Sequence, residues 1–228
     1  MNSKKETSWQ TKKLGDVKNL IEPILQKYTN LGLTNSDLFK QLQNNLQNQI
    51  WINHIQTVLN NVKNGEYIFR ITKEINKDKN DQRVREMFAE FDVAERLTNK
   101  KFFGSFTNVE YLIKDKNIRR PDFLAYEDGN PIPVEVKFLT PQDLNEKKFF
   151  QKLINKVNDH ALKQLESFYN EKQFKKGMIF IWTDEPIKLG NIPNYELEKD
   201  FSEKVSRPKF KVTVIYIVSG SGLWDFYI

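Results

Sequence analysis

Two carboxylates and a lysine stand where they could hold a hard metal ion and activate water. Asp122 opens one apolar run, Phe123-Leu124-Ala125, and Glu135 and Lys137 lie in a second run with Val134, Val136 and Phe138. Between the runs, Asp128-Gly129 is a strong hairpin signal, because a two-residue type I′ turn needs positive φ at both central positions. With those residues as the turn, partners across the hairpin have numbers summing to 257, and Asp122 faces Glu135. The two-residue period of a strand then puts Lys137 on the face of Glu135. Like charges directly opposed on a sheet destabilise it, so the pair calls for something positive between them, and a divalent cation fits. A slip of one residue in the turn would undo the alignment. The plainer account is a solvated hairpin face carrying ordinary charges. Against it, the triplet is embedded in apolar sequence, and charged residues are seldom buried without a partner or a metal.

Asp122, the twelve-residue gap and Glu135-Val136-Lys137 resemble the core motif of the PD-(D/E)XK nuclease superfamily, the restriction-endonuclease-like fold. The resemblance implies a metal-dependent nuclease that hydrolyses phosphodiester bonds using Mg²⁺, with Mn²⁺ able to substitute. Asp122, Glu135 and the Val136 carbonyl would be metal ligands, all oxygen donors suited to those ions rather than to zinc. Lys137 would orient or help deprotonate the attacking water. Arg119 and Arg120 would clamp a flanking phosphate of the nucleic acid, unless they are two ordinary arginines of a surface loop.

The family also tends to carry a glutamate on a helix upstream of the hairpin. Here REMFAEFDVAERL, residues 85–97, has helical spacing of Val84, Met87, Phe88, Phe91, Ala94 and Leu97. Glu90 borders that stripe and is the candidate to complete the metal shell. Glu86 and Glu95 are its rivals, and a solvated helix face is the alternative for all three. Downstream, Thr140-Pro141 gives a cap and first-turn signal for a helix that begins there or near Asn145. Phe150, Leu153, Val157, Ala161, Leu165 and Phe168 form its packing stripe. Gln164 edges that stripe and resembles the helical Gln with which some relatives arrange substrate and catalytic groups, although Phe168 stands where they carry Tyr. His160, one turn earlier, could contact phosphate or simply be exposed.

The 228 residues allow one sizeable domain with a smaller attachment. A net charge of +6 is compatible with a polyanionic partner, DNA being expected over RNA. The charge is uneven: residues 1–65 hold 8 lysines and 4 acidic residues, and the remainder 28 cationic and 26 acidic. The absence of cysteine excludes disulfides, thiolate nucleophiles and cysteine zinc sites, and two histidines are too few for a His-rich centre. No signal peptide or membrane span is read, so a cytoplasmic, non-membrane protein is expected.

Composition divides the chain near Asn64-Gly65, into a helical region, 1–65, and a nuclease-like domain, 66–228. The first predicts helices over 15–29 and 35–63, the second broken near Gln49. Its stripe of Leu38, Leu42, Leu46, Ile50, Ile55, Leu59 and Val62 suits packing first, with a homodimer interface or a nucleic-acid contact as alternatives. The second predicts an extended segment over 66–75, a helix over 82–98, strands near 108–114, 121–127 and 132–139, and a helix over 146–170. A strand over 177–182, a helix over 194–205, and strands 210–218 and 223–228 joined by Ser219-Gly220-Ser221-Gly222 complete it. That glycine-serine run lacks the Lys and following helix of a nucleotide-binding loop, so a hairpin turn is expected. The order of elements predicts an α/β fold, a mixed sheet flanked by helices. Two functions remain in view: a nuclease, in a restriction or defence setting by family analogy, and a non-catalytic nucleic-acid-binding or assembly protein that keeps the fold.

Overall fold

A computed structural model of the chain describes residues 3–69, 80–99, 106–113, 120–139, 146–183, 199, 201, 203–218 and 221–227. These gather into two units, Met1–Thr98 and Asn99–Ile228. The described elements of the first are α1 (Ser3–Asn30), α2 (Asp37–Asn45), α3 (Gln49–Asn61), a two-residue extended segment β1 (Val62–Lys63), a 3₁₀ turn (Gly65–Phe69) and α4 (Asn80–Thr98). Helix α1 turns Val17, Ile21, Ile24 and Tyr28 inward at helical spacing, each no more than 1% exposed.

The expected break near Gln49 is present, and it changes which residues pack. Ser36 accepts from the Phe39 N–H to start α2, and the Asn48 side chain accepts from the Ile50 N–H at 3.0 Å to start α3. A new cap resets the phase of the stripe. Ile52, Ile55 and Val58 are therefore buried, whereas Ile50 is 68% exposed and is no part of the core. Asn64, at φ 62, follows this helix pair inside the first unit. The extended segment expected from Glu66 is instead 3₁₀-helical to Phe69, burying Ile68 and Phe69; residues 70–75 lie outside the described residues. In α4, Val84, Met87, Phe91, Ala94 and Leu97 are buried as their spacing predicts, while Phe88 is half-buried and Ala89 and Val93 are buried instead. Phe91 packs against Trp51 and Phe69, with ring centroids 6.4 and 5.8 Å away.

The second unit is an α/β layer built on six described strands lying side by side in chain order: β2 (Asn108–Tyr111), β3 (Phe123–Glu127), β4 (Asn130–Phe138), β5 (Lys176–Thr183), β6 (Lys211–Val218) and β7 (Ser221–Tyr227). The sheet is mixed. β2, β3 and β4 form an antiparallel meander, β4, β5 and β6 run parallel, and β6 and β7 are antiparallel. β5 reads as an unbroken apolar run because a central parallel strand is covered on both faces; Gly177 to Thr183 are all buried. Pro131 and Pro133 fall in the part of β4 that precedes its pairing with β5 at Val134, so no second ladder loses a donor. The crossover from β4 to β5 is α5 (Glu146–Asn155), a π-helical segment (Lys156–Leu162) and α6 (Lys163–Glu171). Its stripe, Leu153, Val157, Ala161, Leu165 and Phe168, is buried with Leu124, Ile179, Ile181, Val212 and Val214 of the sheet. The helix expected over 194–205 falls largely outside the described residues, although Phe201 and Val205 are buried.

Candidate functional site

The hairpin forms in the register that the Asp-Gly turn predicts. Phe123 pairs with Val134, Leu124 with Pro133 and Glu127 with Asn130, so partners sum to 257. Asp128 and Gly129 take φ values of 49° and 76°, the positive pair that a type I′ turn requires. One step beyond the last strand pair, Asp122 sits at the mouth of the hairpin, and its Oδ2 accepts a hydrogen bond from the Val136 N–H at 2.7 Å. That bond ties the first carboxylate to the strand carrying the second. Both are enclosed: Asp122 is 1% exposed and Glu135 is 0%.

The parallel pairing of β4 and β5 decides what the site faces. Glu135 lies beside Ile179 and Lys137 beside Ile181, and both isoleucines belong to the core under α5 and α6. Val134, Val136 and Phe138 alternate to the other side and are buried there. The charged residues thus point toward the crossover helix. Lys137 Nζ contacts Glu135 Oε1 and donates to Gln164 Oε1 at 2.6 Å. Gln164 in turn donates through Nε2 to the main-chain carbonyl of Arg120 at 3.1 Å. A network thus runs from the segment before Asp122, through the helix, to the lysine and glutamate of β4. A charge inside a protein is tolerated when it is paired and hydrogen-bonded, and here Lys137 supplies the pairing.

The π-helical segment lies one turn ahead of Gln164. Such wide turns occur often at functional sites. His160, within it, is exposed, and its pKa falls below the usual 6.5 through desolvation of the ring first, then Lys156 and Lys137, with Lys163 adding and Asp159 opposing. The guanidinium of Arg120 lies 3.4 Å from Glu171, while Arg119 lies outside the described residues. Glu90 belongs to the first unit, is 4% exposed on α4 and has Arg83 at 3.8 Å. Its rivals are more open and paired, Glu86 with Arg83 of its own helix at 2.9 Å and Glu95 with His54 of α3 at 2.8 Å.

Among the described residues there is no cluster of three or more His, Cys, Asp or Glu side chains of the kind that encloses a metal. Asp122 and Glu135 nevertheless suit one class of ion. Mg²⁺ keeps several waters and is held by one or two carboxylates rather than by an all-protein cage. Two buried carboxylates on one hairpin, with a main-chain carbonyl between Glu135 and Lys137, match that donor chemistry. Among the described residues no helix is long and apolar enough to cross a membrane. No family model, curated protein or solved structure matches this chain.

Proposed function

We propose that this chain is a metal-dependent nuclease of the PD-(D/E)XK type, hydrolysing phosphodiester bonds, with DNA the preferred polymer and a restriction or defence endonuclease the biological reading. One observation carries the reading. Asp122 is bonded across the hairpin to the strand of Glu135, and Lys137 joins Glu135 to Gln164, so all four residues converge on one mouth of the sheet.

Asp122, Glu135 and the Val136 carbonyl would hold Mg²⁺ or Mn²⁺. A bound ion of this kind lowers the pKa of water and offsets charge developing on phosphate. The chain's own residues do the rest. The Val136 N–H fixes the Asp122 carboxylate, so no reorganisation is needed when substrate arrives. Lys137 offers an ammonium beside the carboxylates, to orient the attacking water and balance negative charge on the phosphoryl oxygens. Gln164 holds Lys137 through its carbonyl oxygen and the Arg120 main chain through its amide, setting the lysine's position relative to the hairpin.

The test is cleavage of plasmid and linear DNA in Mg²⁺, Mn²⁺ or EDTA, with wild type beside Asp122→Ala and Glu135→Ala. The expected outcome is metal-dependent cutting in wild type alone, with DNA binding kept in both variants, since removing a carboxylate lessens repulsion of phosphate. Cutting by either variant at the wild-type rate would remove this site from the chemistry. Binding without cutting by the wild type would favour a fold kept for binding.

A further inference from the structure

A second feature of the Asn99–Ile228 unit takes no part in the carboxylate site. A cleft of about 690 Å³ is lined by Tyr169, Phe174 and Phe210, with Lys175, Arg207, Lys209 and Lys211 among its other walls. The aromatic floor is packed: the Phe174 and Phe210 centroids are 4.5 Å apart, and Tyr169 lies 5.3 Å from each. Phe174 and Phe210 are buried, whereas Tyr169 keeps part of its surface open. All four cations are exposed, no acidic residue lines the cleft, and among the described residues no salt bridge holds any of them.

The fold forces these charges together. The Lys211 N–H donates to the Lys175 carbonyl at 3.1 Å, and the β5–β6 register sets Lys176 beside Lys211. Glu127 neutralises Lys176 at 3.3 Å, while Lys175 and Lys211 both line the cleft. Arg207-Pro208-Lys209-Phe210-Lys211 adds a cation at every second residue, and all three line the cleft. Adjacent like charges cost stability unless an anion lies between them. Cations tracking a backbone beside an aromatic shelf are what a single polynucleotide strand recognises, because every base has a stacking face. A paired base already stacked inside a duplex cannot reach such a shelf.

We propose that this cleft binds a single, unpaired nucleic-acid strand, its phosphates on Lys175, Arg207, Lys209 and Lys211 and one base against Tyr169. Lys175 precedes Ile179, the neighbour of Glu135, by four residues, which is about 13 Å along a strand. Resting on the nuclease reading, the cleft would then hold an unpaired segment a short distance from the scissile phosphate.

The experiment measures fluorescence anisotropy of a labelled twelve-residue oligothymidylate on the full chain in EDTA, where no cutting intervenes, with an equal-length duplex and inorganic polyphosphate as competitors. Wild type should prefer the single strand. Arg207→Gln with Lys209→Gln, both at exposed positions, should weaken it roughly tenfold and flatten the log–log salt slope by about 1.4, two phosphate contacts' worth. Tyr169→Leu, which keeps an apolar side chain over Phe174 and Phe210, should weaken the oligonucleotide but not polyphosphate. Unchanged affinity and slope in the double variant would overturn the proposal, as would equal competition by polyphosphate or duplex. Binding through the cleft without metal-dependent cutting would sink the nuclease reading alone. Cutting unaltered by the double variant, with unaltered binding, would sink the cleft alone.

Discussion

At the scale of single residues, the site depends on one lysine with two partners. Lys137 contacts Glu135 on its own strand and Gln164 on the crossover helix. The first contact was legible in the sequence, since residues two apart on a strand share a face. The second joins positions 27 apart and needed the helix to lie over β4 at a particular rotation. If the proposed nuclease function holds, Lys137→Ala is expected to slow single-turnover cleavage on the order of 10²-fold while changing DNA affinity little. Gln164→Ala should act in the same direction more weakly, because it positions the lysine and does not replace it. Rapid-quench rates beside equilibrium binding separate the two effects. A loss confined to binding would show that Lys137 holds substrate and takes no part in the chemical step.

At the scale of elements, the hairpin turn sets the register on which the carboxylate pair relies. Gly129 adopts φ 76° with open space where a Cβ would sit, so Gly129→Ala costs backbone strain alone, about 1 kcal/mol. Urea unfolding should record that loss, and Gly129→Asn a smaller one, because Asn tolerates the left-handed region. The crossover helix was legible in position but not in form. Leu153, Val157, Ala161 and Leu165 repeat every four residues, and in a helix of 3.6 residues per turn each such step overshoots by about 40°. The wider turn at Lys156–Leu162 absorbs the drift and keeps the stripe facing the sheet. The cue was present, yet a stripe at intervals of four reads first as an ordinary helix. The misreading of Ile50 has a similar cause: helical spacing was extended across Asn48, where a cap restarts the phase.

At the scale of the whole molecule, the parallel centre of the sheet carries the packing that supports both sites. Phe180, 0% exposed on β5 and paired beside Val136 and Ile215, should lose about 3–5 kcal/mol of stability on truncation to Ala, read as a lower denaturant midpoint at an unchanged slope. Charge counted along the chain placed most of the basic excess in the first 65 residues, but the basic cleft lies in the nearly balanced remainder. Its cations come from two segments, at 175 and 207–211, that meet only because β5 and β6 run parallel and start level. The hairpin, its register and the carboxylate pair with its lysine were legible in the sequence because they follow from local turn chemistry and a short period, and the mixed α/β layer because it follows from the order of elements. Tertiary structure alone decided that Gln164 meets Lys137, that the crossover widens ahead of it, and that cations of two distant segments share one aromatic cleft. Those contacts depend on helix rotation and parallel strand alignment, which packing of the whole sheet fixes and no local spacing encodes.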